Sequence, residues 1–129
     1  MSIQSTLTPQ IEIQVKVTYV ESESKPDQGL HFFAYKITIN NKGPVGAQLL
    51  SRHWIITDAH GRSEEVRGPG VIGLQPRIPT GGSFEYESAC PLTTSTGTMR
   101  GWYQMMTESG ESINVEIPEF YLIAPNALN

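Results

Sequence analysis

Cysteine is nearly absent: Cys90 stands alone in 129 residues. That count excludes an internal disulfide and a Cys-based zinc site. Basic charge is scarce too, with 9 Lys plus Arg against 13 Asp plus Glu and a net charge of −4. A general nucleic-acid or anionic-membrane binder needs the opposite balance, so neither partner is expected. No run approaches the roughly 18 apolar residues of a membrane span. Residues 1–9 carry neither the basic nor the apolar region of a secretory signal, and the expected location is the cytoplasm. Long helical patterns are also missing. Twelve Gly and nine Pro would interrupt the helices of a bundle too often.

What the chain has instead is alternation. Ile11, Ile13, Val15, Val17 and Tyr19 recur at period two, with Glu12, Gln14, Lys16 and Thr18 between them, the mark of a half-buried strand. After a polar loop over 22–29, Phe33, Tyr35, Ile37 and Ile39 repeat the pattern up to the turn residues Asn40-Asn41-Lys42-Gly43-Pro44. A third strand, 48–57, is apolar on both faces, with Leu49 and Ile55 on one and Leu50, Trp54 and Ile56 on the other, and is expected at the centre of its sheet. A short polar strand ends near Val66. Phe84, Tyr86 and Ser88 mark another, ending near Cys90-Pro91. Met99, Tyr103 and Met105 share one face of the next strand, with Arg100, Trp102 and Gln104 on the other. A hairpin at 108–111 leads into Ile113, Val115 and Ile117; Pro118 is expected to stop pairing, Phe120 and Leu122 to close the domain, and 125–129 to fray.

About seven or more short antiparallel strands, with no amphipathic helix, predict an all-β fold. The expectation is a β-sandwich of fibronectin type III/immunoglobulin-like type, without a core disulfide. One domain is expected over 8–126, after a flexible segment 1–7.

Candidate chemistry is sparse. Gly68-Pro69-Gly70-Val71-Ile72-Gly73 matches the GxGxxG fingerprint. That fingerprint works only when a helix follows and presents its N-terminal amides to pyrophosphate. Pro76 and Pro79 forbid such a helix, which excludes a dinucleotide fold. Two readings remain for the loop. Gly68, Gly70 and Gly73 could let the chain cross between sheets, or their amides could form an anion nest assisted by Arg52, Arg62, Arg67 and Arg77, above all Arg67 and Arg77. His53, Asp58 and His60 have no zinc-site spacing, and no metal or other cofactor is expected. Cys90 has no base in its sequence context, and no Gly-x-Ser-x-Gly elbow occurs. Trp102 beside Arg100 combines residue types enriched at binding hot spots if that strand face is open; if both faces are covered, Trp102 belongs to the core.

Four blocks together resemble the ApaG family, also called CorD. They are Ser51-Arg52-His53-Trp54 with Ile56-Thr57-Asp58, the run from Val66 through the glycines to Pro76, Gly97-Thr98-Met99-Arg100-Gly101-Trp102-Tyr103-Gln104-Met105, and Ile117-Pro118-Glu119-Phe120. The resemblance spans about 8–126. It implies a fibronectin type III-like sandwich, a bacterial cytoplasmic protein and a link to cobalt resistance and magnesium efflux. It brings no catalytic residue, and it attaches a suggested phosphate role to Gly68, Gly70 and Gly73. The expected function is a non-enzymatic protein-interaction sandwich, linked only indirectly to the metals. Its partner would be another protein or, through an edge strand, a second copy of the chain. The alternative is phosphate, pyrophosphate or nucleotide-polyphosphate binding at 68–73.

Overall fold

The period-two rows of the sequence become strands. The computed structural model describes residues 10–127, so the expected segment 1–7 lies outside the described residues. Among the described residues eight strands follow in order: β1 (Ile11–Tyr19), β2 (His31–Asn41), β3 (Ala47–Asp58), β4 (Ser63–Pro69), β5 (Arg77–Ile78), β6 (Ser83–Leu92), β7 (Thr96–Thr107) and β8 (Ser112–Ile123). β1, β2 and β6 form one sheet in that order. β4, β3, β7 and β8 form the other, with β5 added beside β3. Every pairing is antiparallel. The result is the expected fibronectin type III-like β-sandwich.

Alternation decides which face meets the other sheet. Phe33, Tyr35, Ile37 and Ile39 of β2 point inward against Leu49, Trp54, Met99, Tyr103, Met105, Ile117 and Leu122. Each fully buried aliphatic contributes about 1.5–3 kcal/mol relative to staying exposed. β1 packs against β8 and closes one side of the sandwich. On the other side run β4 and β6, each paired with one neighbour only among the described residues.

The structure departs from the expected pattern at four points. Leu49 and Trp54 both face the core, because a bulge between Leu49 and Ser51 shifts the pairing with β7 by one residue; such a shift moves side chains to the opposite face. β6, by contrast, ends at Leu92, beside Pro91 as expected, and it is an edge strand, where a missing N–H is tolerated. Pro118 does not stop pairing. A register shift opposite Met99 and Gly101 absorbs it, and β8 continues to Ile123. The tail does not fray within the described residues, since the Ala127 N–H donates to the Ala124 carbonyl and Ala127 packs on the core. Finally, the stretch 68–73 does not cross between sheets. The chain leaves β3's edge at Pro69 and rejoins the same strand at Arg77. The crossing falls at 79–82, where the Gly81 N–H donates to the Asn41 carbonyl and the Asn41 N–H donates to that of Gly82.

Candidate functional site

The glycine stretch folds into a small hairpin that projects from the sheet. Val71 and Leu74 exchange both backbone hydrogen bonds, at 2.8 and 2.9 Å. Between them Ile72 (φ 44°) and Gly73 (φ 79°) are left-handed, the geometry of a tight turn with two positive φ angles. Gly70 is required twice over: its φ is 60°, and a Cβ there would run into the Leu74 carbonyl. Val71 anchors the hairpin in the core with no exposure, while Ile72 and Leu74 stand out at 55% and 50%. The carbonyl of the bulged Leu50 accepts from the Gly70 N–H and from Gln75 Nε2.

These bonds account for most of the amides that an anion nest would use. Those of Gly70, Val71 and Leu74 are already donated within the hairpin and its root, leaving Ile72 and Gly73 at the tip. The root is strapped by Arg52, whose Nη1 donates to the carbonyls of Pro69 (3.1 Å) and Gly70 (3.0 Å). Arg67 and Arg77 do not converge. Arg67 pairs with Glu65 and His53 on the outer face of the larger sheet, whereas Arg77 lines a separate depression with Ile78 and Met106.

Trp102 lies on that outer face, half-buried, with its ring against His53 at 4.2 Å between centroids. His53 Nε2 is 3.2 Å from a Glu65 carboxylate oxygen. Register aligns Arg67, His53, Trp102 and Glu116 in one row across four strands. Arg100 is exposed, opposite Ile55. Asp58 ends β3, and His60 lies in the turn that follows it. Backbone hydrogen bonds, first from Arg62 and then from His60, hold the Asp58 carboxyl below its usual range. Among the described residues no three His, Cys, Asp or Glu side chains gather in a group able to hold a metal ion. No helix among them is long and apolar enough to cross a membrane.

A depression lies between the two sheets on their open side. It is a cleft of about 570 Å³ lined by Tyr35, Arg52 and Trp54, by Glu64 and Val66 of β4, and by Ser88 to Thr93 of β6 and the loop after it. Tyr35 and Trp54 form its aromatic wall, 5.5 Å apart between centroids, and behind it Trp54 packs on Phe120 at 5.9 Å and Tyr103 at 6.4 Å. Deeper in, the hydroxyls of Tyr86 and Tyr103 meet at 2.5 Å. Burial raises both phenols and that of Tyr35, with Arg52 acting the other way. Burial likewise pushes the Cys90 thiol up to about 11, helped by the Glu64 charge, so the thiol is neutral near pH 7 and a poor nucleophile.

Residues 21–107 match the family model for the ApaG domain. The chain is 66% identical over 127 residues to Protein ApaG of Bdellovibrio bacteriovorus, covering 98% of this chain and all of that one. The chain belongs to the ApaG family. It is also 52% identical over 119 residues to Protein ApaG of Azorhizobium caulinodans, with 92% of each chain covered. Its fold superposes on the crystal structure of a putative ApaA protein from Bordetella pertussis with a TM-score of 0.89, at 47% identity over 92% of this chain and 96% of that one.

Within this ApaG domain, the glycine loop and the Trp102 face are legible as candidates in the sequence, and the cleft is not. The signal present in the sequence was Arg52, a charged residue on the same strand face as Trp54. An Arg in an inward row needs acceptors, and the carbonyls of Pro69 and Gly70 supply them.

Proposed function

We propose that this ApaG-family chain is a non-enzymatic interaction module that binds a protein partner along the open side of its sandwich. One observation carries the reading: β4 and β6, each paired on a single side, flank the same cleft. Unpaired strand edges offer main-chain donors and acceptors to an added strand, and adjacent pockets select its side chains. The glycine loop supports a polyphosphate reading less well, because Gly70, Val71 and Leu74 already donate their amides. On this reading the protein acts in the bacterial cytoplasm, and the link to cobalt resistance and magnesium efflux runs through the partner.

Immobilised protein should retain a saturable partner from a bacterial lysate, and amide hydrogen exchange in β4 and β6 should slow in the complex. Sedimentation of the purified chain decides whether a second copy takes the same edge. Retention of nothing above background, with a monomer in sedimentation, withdraws the reading.

A further inference from the structure

β4 turns a patterned row toward the cleft. Its inward residues sit opposite inward residues of β3: Glu64 opposite Ile56, Val66 opposite Trp54, and Gly68 opposite Arg52. Gly68 has no side chain, and Arg52 occupies its place. A Cβ on Gly68 would lie 2.9 Å from Arg52 Nη1 and 3.2 Å from both Cζ and Nη2, so the guanidinium lies flat across the strand. At two-residue steps of about 7 Å, the row reads carboxylate, isopropyl, guanidinium. All three groups line the cleft.

The fold matches neither charge. Ion pairs among the described residues join Lys36 to Glu85, Lys42 to Glu12, and Arg67 to Glu65, with His53 Nε2 at 3.2 Å from the same carboxylate. Glu64 and Arg52 take part in none of them, and Arg52 meets only carbonyl acceptors, through Nη1. On its far side β4 has no strand partner among the described residues.

We propose that this edge takes an extended peptide segment that pairs antiparallel with β4 and turns acidic, aliphatic and basic side chains into the cleft, in the order acidic–x–aliphatic–x–basic. The inference rests on the interaction-module reading and specifies its ligand. Antiparallel pairing fixes the order: the residue meeting Arg52 comes first, and the one meeting Glu64 follows four positions later. Opposite charges placed across from each other stabilise strand pairing, and like charges oppose it. Main-chain bonds along the edge supply affinity, and the row supplies selectivity. Inward charge on an edge strand can also serve to block unwanted pairing, and experiment separates the two roles.

Two synthetic peptides of about nine residues and identical composition suffice, one centred on Glu-x-Ile-x-Lys and the other on Lys-x-Ile-x-Glu. Each is titrated calorimetrically into the intact chain and into Glu64→Lys, a change at an exposed side chain. The first peptide should bind about tenfold or more tighter than the second. Glu64→Lys should abolish that preference, and added salt should narrow it. Equal affinity for the two orders overturns the charge pattern while leaving edge addition in place. Binding of neither peptide, with self-association of a Glu64→Val variant, assigns Glu64 to edge protection and overturns the proposal. The exchange footprint of a captured partner decides the broader reading independently.

Discussion

The three glycines of the GxGxxG stretch fill different structural needs, and alanine at each should report a different cost. Gly73 has φ 79° with nothing within 4 Å of an added Cβ. Alanine there meets only the left-handed penalty of about 1–2 kcal/mol, offset by about 0.4–1 kcal/mol from a less flexible unfolded chain. A net loss of about 1 kcal/mol follows, or a Tm lowered by roughly 3–5 °C in a chain of this size. Gly70 has φ 60°, and its Cβ would strike a backbone carbonyl, that of Leu74, which cannot swing aside. The hairpin must open, releasing the buried Val71 anchor, worth a further 1.5–3 kcal/mol or so. Gly70→Ala should therefore lose about 3 kcal/mol or more, lowering Tm by roughly 10 °C. At Gly68 the obstacle is the end of the Arg52 side chain, which can move, so the cost should be smaller than at Gly70. Urea denaturation of the three variants, checked for an unchanged slope, measures the series. Equal losses at Gly70 and Gly73, or a larger loss at Gly73, would refute the steric assignment. The series also identifies a clean probe of the polyphosphate alternative: pyrophosphate binding should be tested in the well-folded Gly73→Ala, because loss in Gly70→Ala reports only a broken hairpin.

Further predictions concern the two faces of the larger sheet and the titratable groups. Trp54→Ala should cost about 3–5 kcal/mol, since it opens a cavity in a close-packed core, whereas Trp102→Ala, which loses the His53 ring contact on the outer face, should cost less than about 1.5 kcal/mol; thermal denaturation compares them. Cys90 should react with a thiol reagent at pH 8 far more slowly in the folded chain than in urea. Its thiol is 3% exposed at the residue level and raised to about 11, so the same linkage lowers folded-state stability as pH rises past the ordinary thiol value. Asp58 is lowered by the backbone bonds of its turn, so its contribution is present above the ordinary carboxylate value and lost as pH falls through the lowered one. An Asp58→Asn variant should show a flatter acid limb in stability against pH, and an unchanged limb would refute the assignment.

Much of the fold was legible because burial leaves a simple trace. The row Phe33, Tyr35, Ile37, Ile39 can form only a strand with one face in a core, and the core contains all four. Where the reading failed, the missing information was topological. Pro118 reads as a strand end because proline donates no ladder bond. It lies on an edge strand, and the register shift on β8 absorbs it. The bulge at Leu50 leaves no compositional mark, yet it decides that Leu49 shares the core with Trp54. The hairpin tip was hidden because Ile72 occupies a left-handed position that Asn or Gly ordinarily fills. The cleft was out of reach for the same topological reason. Glu64, Val66 and Arg52 become one row only when β4 is known to pair with β3 in this register. The outer-face pair Trp102 and Arg100 was legible as a face, but the ring of His53 that covers one side of Trp102 was not.

The chain has only two tryptophans, one on each side of the larger sheet, and their indole N–H signals test the central claim directly. In a two-dimensional NMR titration with the Glu-x-Ile-x-Lys peptide, the open-edge account predicts shifts of the Trp54 indole and of the amides of 63–69, with the Trp102 indole unmoved. Shifts confined to the Trp102 indole and its neighbours on the outer face would contradict it.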